Sequence, residues 1–473
     1  MRYPLPPFPS AVLVLALAVA GCTAVGPTYE RPAIETPQVF KEGQGEWVRA
    51  VPADLLDRGP WWSLFDDPVL AGLAGRVEVS NQTVAEAVAA YSQARALVAQ
   101  QRASLFPSVN LDASANRSGG GGSTQPSRSS YQVSIGASWE PDVWGRLGRG
   151  VEAARAGEQA SLADLQAAKL SAQGELATDY LNLRGFDAQH ALVAQTIEGY
   201  VRSLNIAQNR YNAGIAARTD VLQAQTQLAN TQADLLGLER QRAQLEHAIA
   251  VLVGQAPANF ALPASPEWKG VVPDVPFDVP STLLQRRPDI AGAERRAAQA
   301  NEQIGIAQAA LFPSLKLTGS AGFGAAAIGD LFSSSALAWS LGASLAQVVF
   351  DAGANRARVE GARGALEQAA ARYRQTVLTA FGQVEDQLIA SRILQSQLAL
   401  RLQAQEAANL VEQQVLNRYQ AGQVSYTDVV TAQVTALNAR RAVVQAQSDR
   451  QVAAVALIQA LGGGWQGLQQ AAR

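Results

Sequence analysis

Asn209-Arg210-Tyr211-Asn212-Ala213-Gly214 returns as Asn417-Arg418-Tyr419-Gln420-Ala421-Gly422, and Thr219-Asp220-Val221 returns as Thr427-Asp428-Val429, both at an offset of 208 residues (209 to 417, 219 to 427). Moving outward, Leu105-Phe106-Pro107-Ser108 returns as Leu311-Phe312-Pro313-Ser314, and Val151-Glu152 with Arg155 returns as Val359-Glu360 with Arg363. Four matches in one order at a nearly constant spacing mark a duplicated half-molecule. The unit is well beyond the roughly 20–50 residues of a solenoid repeat.

Each half reads in the same order. A helix of about 23 residues, 82–104 and then 288–310, runs into Leu-Phe-Pro-Ser. Proline lacks the helical N–H and pushes its predecessor toward extended backbone, so the element changes there. Alternating segments follow on either side of a Gly/Ser-rich stretch, Ser118 to Ser130 in the first half and Gly322 to Ser335 in the second. Val109, Leu111 and Ala113 alternate with polar residues, as do Tyr131, Val133, Ile135, Ala137 and Trp139; Leu315 and Leu317, then Trp339, Leu341, Ala343 and Leu345, repeat the pattern. Strands are expected near 108–116, 131–140, 314–323 and 338–347. Apolar–polar alternation with aromatic residues near the strand ends is the signature of outer-membrane β-strands. Alternation alone equally fits a soluble hairpin with one buried face. However, four isolated strands in a helical chain have no other apolar layer to pack on.

After the second strand each half enters a long stretch without proline, 146–211 and 354–420, followed by 215–254 and 424–473. As one helix, the first of these would run about 100 Å at 1.5 Å per residue. Heptad steps such as Val221-Leu228-Leu235 and Val430-Leu437-Val444 predict side-by-side packing. The many intervening Ala and Gln residues favour close approach and a watered face over a solid coiled-coil seam.

Composition removes several functions. Of 473 residues only 16% are charged and the formal net charge is −2, which lacks the basic face of a nucleic-acid binder. Cys22 is the only cysteine, and His190 and His247 are the only histidines. Cysteine-based zinc sites and His-rich metal or catalytic clusters are therefore not expected, and no enzyme is expected. Gly119-Gly120-Gly121-Gly122 has no following Lys-Ser/Thr, so it reads as a flexible loop and not a phosphate cradle. Ala11 to Ala20 is an apolar run too short to span a bilayer. It leads into Val19-Ala20-Gly21-Cys22, which reads as a signal peptide ending in a lipobox, with Cys22 the lipidation site. The alternative is an ordinary signal peptide with Cys22 a bystander. Thr23 in place of Asp favours the outer membrane.

Arg286-Arg287-Pro288-Asp289-Ile290 with Glu294, the repeated Arg-Tyr-x-Ala-Gly, the paired Leu-Phe-Pro-Ser and the lipobox together resemble the outer membrane factor family of tripartite efflux pumps (TolC-like, of the OprM/NodT lipoprotein type). The resemblance implies a mainly α fold with a small membrane β-barrel. Each chain supplies four strands to a twelve-stranded trimeric barrel above a long α-helical periplasmic tunnel. An open sheet edge cannot face lipid, so four strands must close with other copies. Closure alone also allows two or four chains, and the number three comes from the resemblance. The expected division is a signal peptide over 1–21, a lipidated N-terminal segment over 22–80, a first repeat over 81–254 (hairpin 105–140), a linker over 255–286, a second repeat over 287–463 (hairpin 311–350) and a tail over 464–473.

The function implied is passive conduction of drugs, toxic compounds or metal ions from a periplasmic adaptor and an inner-membrane transporter to the exterior. No cofactor is implied, and the partners are two further copies, the adaptor, the transporter and outer-membrane lipid, with no nucleic acid. By the same resemblance Asp220 and Tyr419 hydrogen-bond to hold a periplasmic gate shut, beside Thr219, and Asp428 forms a cation-favouring ring. A second acidic ring would fall at Thr431 and an arginine latch at Val424; both departures imply a looser gate. Arg210, Tyr211, Gly214, Arg418 and Gly422 form the turns that would face the adaptor. Asp220 and Asp428 also stand where Asp caps a helix, so both roles stay open here. A periplasm-spanning lipoprotein scaffold without a pore is the competing function; it explains the lipobox and heptads but not the paired amphipathic strands.

Overall fold

The computed structural model describes residues 24–37, 40–42, 60–119, 127–265, 268, 270–273 and 287–463. The signal peptide, Cys22, Gly120 to Gly122, Arg286 and the tail from 464 lie outside them. In chain order the principal elements are α1 (Pro68–Ser80), α2 (Gln82–Ala103), β1 (Ser108–Ser118), β2 (Arg128–Trp139), α3 (Arg146–Asn212), α4 (Arg218–Leu252), α5 (Pro288–Ala309), β3 (Ser314–Ala325), β4 (Leu337–Ala346), α6 (Ala354–Gln420) and α7 (Tyr426–Ala460). The fold is mainly α with one small sheet, and the two halves match element for element. α3 and α6 are each unbroken over 67 residues, as their lack of proline predicts. Two compact units arise: Met1–Ile34 with Ala90–Leu162 and Gly292–Arg374, and Glu35–Ala89 with Ala163–Ala291 and Gln375–Arg473. Each unit takes matching pieces of both repeats.

In the first unit the strands form one antiparallel sheet in the order β1-β2-β3-β4. Pro107 and Pro313 set where the strands begin: the preceding helices tighten into turns, with Phe106 N bonded to Ala103 O and Phe312 N to Ala309 O, both 3.1 Å. Register then sorts every side chain. Leu111 opposes Ile135, Ile135 opposes Ala321 and Ala321 opposes Trp339. Directly opposed residues share a face, so the face of Val109, Leu111 and Ala113 continues through Val133, Ile135 and Ala137, through Leu317 and Phe323, and through Leu341 and Ala343. The reverse face carries Asn110, Asp112, Gln132, Ser134, Lys316, Thr318 and Ser344. There the Ser108 and Ser138 hydroxyls meet at 2.9 Å, as do those of Ser320 and Ser340. On the outer strands this apolar face is open, with Leu341 81% exposed and Trp339 73%, while Val133, Leu317 and Phe323 of the middle strands are half-buried.

One expectation is corrected here. The third strand was expected to end at 323, yet Gly324 pairs with Gln132 and Ala325 with Tyr131. Alternation persists to this end, with Phe323 on the apolar face and glycines on the other, so the strand runs on to Ala325. β2 likewise starts at Arg128, ahead of its expected beginning at 131.

An N-terminal arm not foreseen from sequence lies along the same unit. Val25 N bonds Trp144 O at 3.1 Å, Pro27 O accepts from Arg149 Nη1 and Asn301 Nδ2 at 3.1 Å each, and the Tyr29 hydroxyl donates to Glu294 at 2.7 Å. Gly26 has φ +118° and a Cβ there would sit 2.6 Å from Gly305 Cα, so only glycine lets the arm lie this close to α5. Trp144 stacks on Phe312 with centroids 4.8 Å apart and donates to Pro313 O at 2.7 Å.

The second unit is helical. Leu70, Leu73 and Val77 of α1, Leu176, Tyr180 and Leu183 of α3 and Leu457 and Ile458 of α7 are buried. Small residues let helices approach closely: a Cβ at Gly185 would meet Ser448 Oγ at 3.0 Å, and one at Gly174 would overlap the Gln459 amide. Asp187, with a side chain 1% exposed, accepts from Arg242 Nε (2.6 Å), Arg184 Nη1 (2.8 Å) and Ser265 N (3.0 Å). The two arginines go on to Leu262 O and Pro263 O at 2.7 Å, and Glu246 accepts from Leu262 N at 2.5 Å. This buried cluster fastens the segment after α4 onto α3 and α4. The Arg-Pro-Asp motif makes a second fastening, since Arg287 pairs twice with Asp289 (3.0 and 2.6 Å) and donates to Ala460 O at 3.0 Å.

Candidate functional site

The two turns singled out by the repeat join α3 to α4 and α6 to α7, and both lie in the helical unit. Their backbones are the same. Gly214 (φ +71°) and Gly422 (φ +75°) take the left-handed conformation that ends a helix. Ile215 N returns to Arg210 O and Gln423 N to Arg418 O, each at 2.9 Å.

Side chains then break the symmetry. Tyr419 is buried while its counterpart Tyr211 is 41% exposed. Tyr419 sits in an apolar cluster with Ala207, Val221, Ala224, Tyr426 and Val429, edge-on to Tyr426 at 5.2 Å. Its hydroxyl donates to Asp220 Oδ2 at 3.2 Å. Burial first, then the Asp220 charge, pushes the Tyr419 phenol above its ordinary value, and burial pushes Tyr426 up to about 12. Both phenols therefore stay protonated at neutral pH, and Tyr419 remains a donor.

The difference originates one residue before each second helix. Ser425 caps α7, and its Oγ accepts from Asp428 N at 3.3 Å while Asp428 Oδ2 accepts from Ser425 N at 3.0 Å and Ser425 Oγ at 2.7 Å. This is a capping box. Its counterpart Ala217 has no oxygen to offer, α4 has no side-chain cap, and the Asp220 carboxylate turns to Tyr419. The cap role left open for both aspartates is thus filled by Asp428 alone, whose side chain is nonetheless exposed.

The remaining expected residues divide. Arg210, expected on the adaptor-facing turn, covers the Tyr419 ring at 4.9 Å and donates to Gln420 O at 2.9 Å, tying the two turns together. A half-buried guanidinium gains more from a ring face and a carbonyl than from open solvent. Arg418, Gly214, Gly422 and Thr219 are exposed. Thr431 bonds its own helix through Thr427 O at 2.9 Å, and Val424, at the latch position, packs against the apolar cluster. Gln223 Nε2 reaches Thr427 Oγ1 at 3.3 Å. Cys22 lies outside the described residues. Among the described residues no group of three His, Cys, Asp or Glu side chains is placed to hold a metal ion, and no helix is long and apolar enough to cross a membrane.

Comparison with known proteins agrees with this architecture. The sequence profile described as "Outer membrane efflux protein" matches residues 73–255 and 279–463. "Outer membrane protein OprJ" of Pseudomonas aeruginosa is 32% identical, across 97% of this chain and 96% of its own. "Cation efflux system protein CusC" of Escherichia coli is 28% identical, across 96% of this chain and 98% of its own. Among solved structures, the outer-membrane channel OprN superposes with a TM-score of 0.84 at 32% identity, across 93% of this chain and 99% of its own.

Proposed function

The chain belongs to the outer membrane efflux protein family, and from that premise we propose that it is the passive exit duct of a tripartite efflux system. It sits in the outer membrane as three copies, anchored additionally by an acylated Cys22. One observation carries the proposal: among the described residues the sheet keeps an apolar face across all four strands, fully exposed on β1 and β4, with a polar reverse face. That is the arrangement of a barrel wall with lipid outside and water inside. A soluble hairpin would bury the same face.

Residues 81–254 and 287–463 are the two structural repeats of the duct, joined by 255–286. The helices from both repeats wall a periplasmic tunnel, and the paired turns form its gate, with Tyr419, Asp220 and Arg210 holding the closed state. Arg418, Tyr211, Gly214 and Gly422 present the turn surface to a periplasmic adaptor. Energy comes from an inner-membrane transporter, so the chain acts as a conduit and not as an enzyme. The cargo class is drugs, toxic compounds or metal ions, and the inner-membrane partner decides among them.

Release of a small trapped dye from proteoliposomes tests the proposal. Full-length protein with the Tyr419→Phe and Asp220→Ala changes should empty the vesicles, whereas a non-conducting scaffold retains the dye at every protein density.

A further inference from the structure

Register decides which face each strand residue takes, and on the apolar side it leaves a single charge. We propose that Arg117 of each copy holds a phosphate of an anionic outer-leaflet glycolipid, whose acyl chains run down the apolar face below it. The proposal rests on the reading that this face meets lipid and that the helices lie in the periplasm. It adds the class of lipid and the residue that selects it.

Directly opposed residues share a face, so the odd-numbered positions of β1 to β4 all lie on the apolar side. Arg117, opposite Ser129, is the one charged residue among them; Asp112, Arg128 and Lys316 take even positions on the reverse face. An arginine facing lipid is strongly disfavoured at the bilayer midplane and well tolerated at the interface, so its height decides what it can do. Arg117 stands next to the last residue of β1, at the hairpin end of the sheet and away from the ends that join α2, α3, α5 and α6. Aromatic residues set the scale. Tyr131 and Trp139 lie near the two ends of β2 on the same face, about 26 Å apart along the strand at about 3.3 Å per residue. At the usual barrel tilt of about 40° this is about 20 Å of height, most of the roughly 25 Å apolar band between two aromatic girdles. Arg117 lies two positions beyond the row of Ala115 and Tyr131, which puts its guanidinium above the outer girdle, at the level of lipid headgroups.

The chemistry around Arg117 fits a phosphate above hydrocarbon. Its side chain is exposed, and among the described residues its guanidinium reaches only Ser127 Oγ, at 3.3 Å. A guanidinium has five N–H donors, and its planar fork matches two oxygens of one phosphate. The aliphatic stem can lie along apolar surface while the head stays in the polar layer. Below it on the same face Ala115, Ala113 and Leu111 descend β1, all exposed. The β3–β4 connection extends this surface on the lipid side: Phe332 packs edge-on against Phe323 with centroids 5.6 Å apart, and it stays 72% exposed. The site therefore offers one cation at headgroup height over a shelf for acyl chains, and no carboxylate on that face competes for the cation.

The test is native mass spectrometry of the full-length, delipidated assembly titrated with hexa-acylated lipid A carrying both phosphates, beside the same glycolipid with both removed. The parent should bind the phosphorylated lipid about tenfold more tightly, and Arg117→Ala should abolish that preference. Arg128→Ala is the control: it removes the same charge in the last row of the sheet, opposite Ser118, but from the reverse face, and it should bind as the parent does. Equal binding of the two lipids by the parent overturns the proposal without any variant. So does an undiminished preference in Arg117→Ala, or an equal loss in both alanine variants, which would mean unspecific attraction to charge. Displacement of the lipid by millimolar inorganic phosphate also overturns it, since the site would then serve a free anion. All of these are read on three-copy assemblies; single copies overturn the duct reading instead.

Discussion

Replacing Tyr419 by Phe and Asp220 by Ala removes one hydrogen bond per chain and little else. The Tyr419 ring keeps its contacts with Tyr426 and Arg210, and Asp220 is not used as a cap. A hydrogen bond to a charged group contributes about 1.5–3 kcal/mol. At 3.2 Å this one is longer than the 2.5–2.7 Å usual for O–H···O⁻, and Asp220 is half-buried, so about 1 kcal/mol per chain is the better figure. Three copies opening together lose about 3 kcal/mol, on the order of a hundredfold in the closed-to-open ratio. In planar bilayers the double variant should therefore spend far more time in conducting states than the parent, with an unchanged assembly mass. Equal open times in a correctly assembled variant refute a closing role for the pair and leave the contact as packing alone.

Asp187→Ala strands the buried Arg184 and the half-buried Arg242 and should destabilise the helical unit by about 3–5 kcal/mol; urea unfolding in detergent reads this, with the exposed Arg401→Ala as the neutral comparison. A midpoint shift no larger than that of Arg401→Ala would mean the cluster is not a fastening. Asp428→Asn should lower the cation-to-anion permeability ratio, because it removes an exposed carboxylate from each chain. Ser425→Ala keeps that charge and breaks only the capping box, at about 1 kcal/mol of stability, so it should leave the ratio alone; equal loss in both assigns Asp428 to the cap. Mass spectrometry of the mature N-terminus should find acylated Cys22, and an unmodified terminus cut elsewhere removes the lipid anchor.

The fold was legible because its two signals are periodic and written twice. Two Leu-Phe-Pro-Ser stops, proline-free stretches and period-two strands placed every principal element except α1 to within a few residues, since a two-faced sheet and a long helix both impose their period on the sequence. The strand boundaries at Ala325 and Arg128 were missed because glycine and serine serve a polar strand face as readily as a loop. At the site, the resemblance pointed to Asp220 and Tyr419 and the structure brings them together, but the asymmetry between turns was overlooked. Its signal was present: Ser425-Tyr426-Thr427-Asp428 has the capping-box spacing, and Ala217-Arg218-Thr219-Asp220 lacks the hydroxyl. The Asp187 cluster had no such signal, because Arg184, Arg242 and Ser265 converge from separate elements. The arm at Val25 to Tyr29 has no periodicity and is held by its backbone atoms, a glycine fit and the Tyr29 hydroxyl on distant Glu294, which sequence does not display.

Single-channel recording of full-length protein in a planar bilayer tests the central claim most directly. Parent and gate double variant, each verified as three copies, should give discrete, long-lived current steps, with the variant open for longer. A flat baseline from both at protein densities where insertion is confirmed would contradict a conducting duct and leave a periplasmic scaffold.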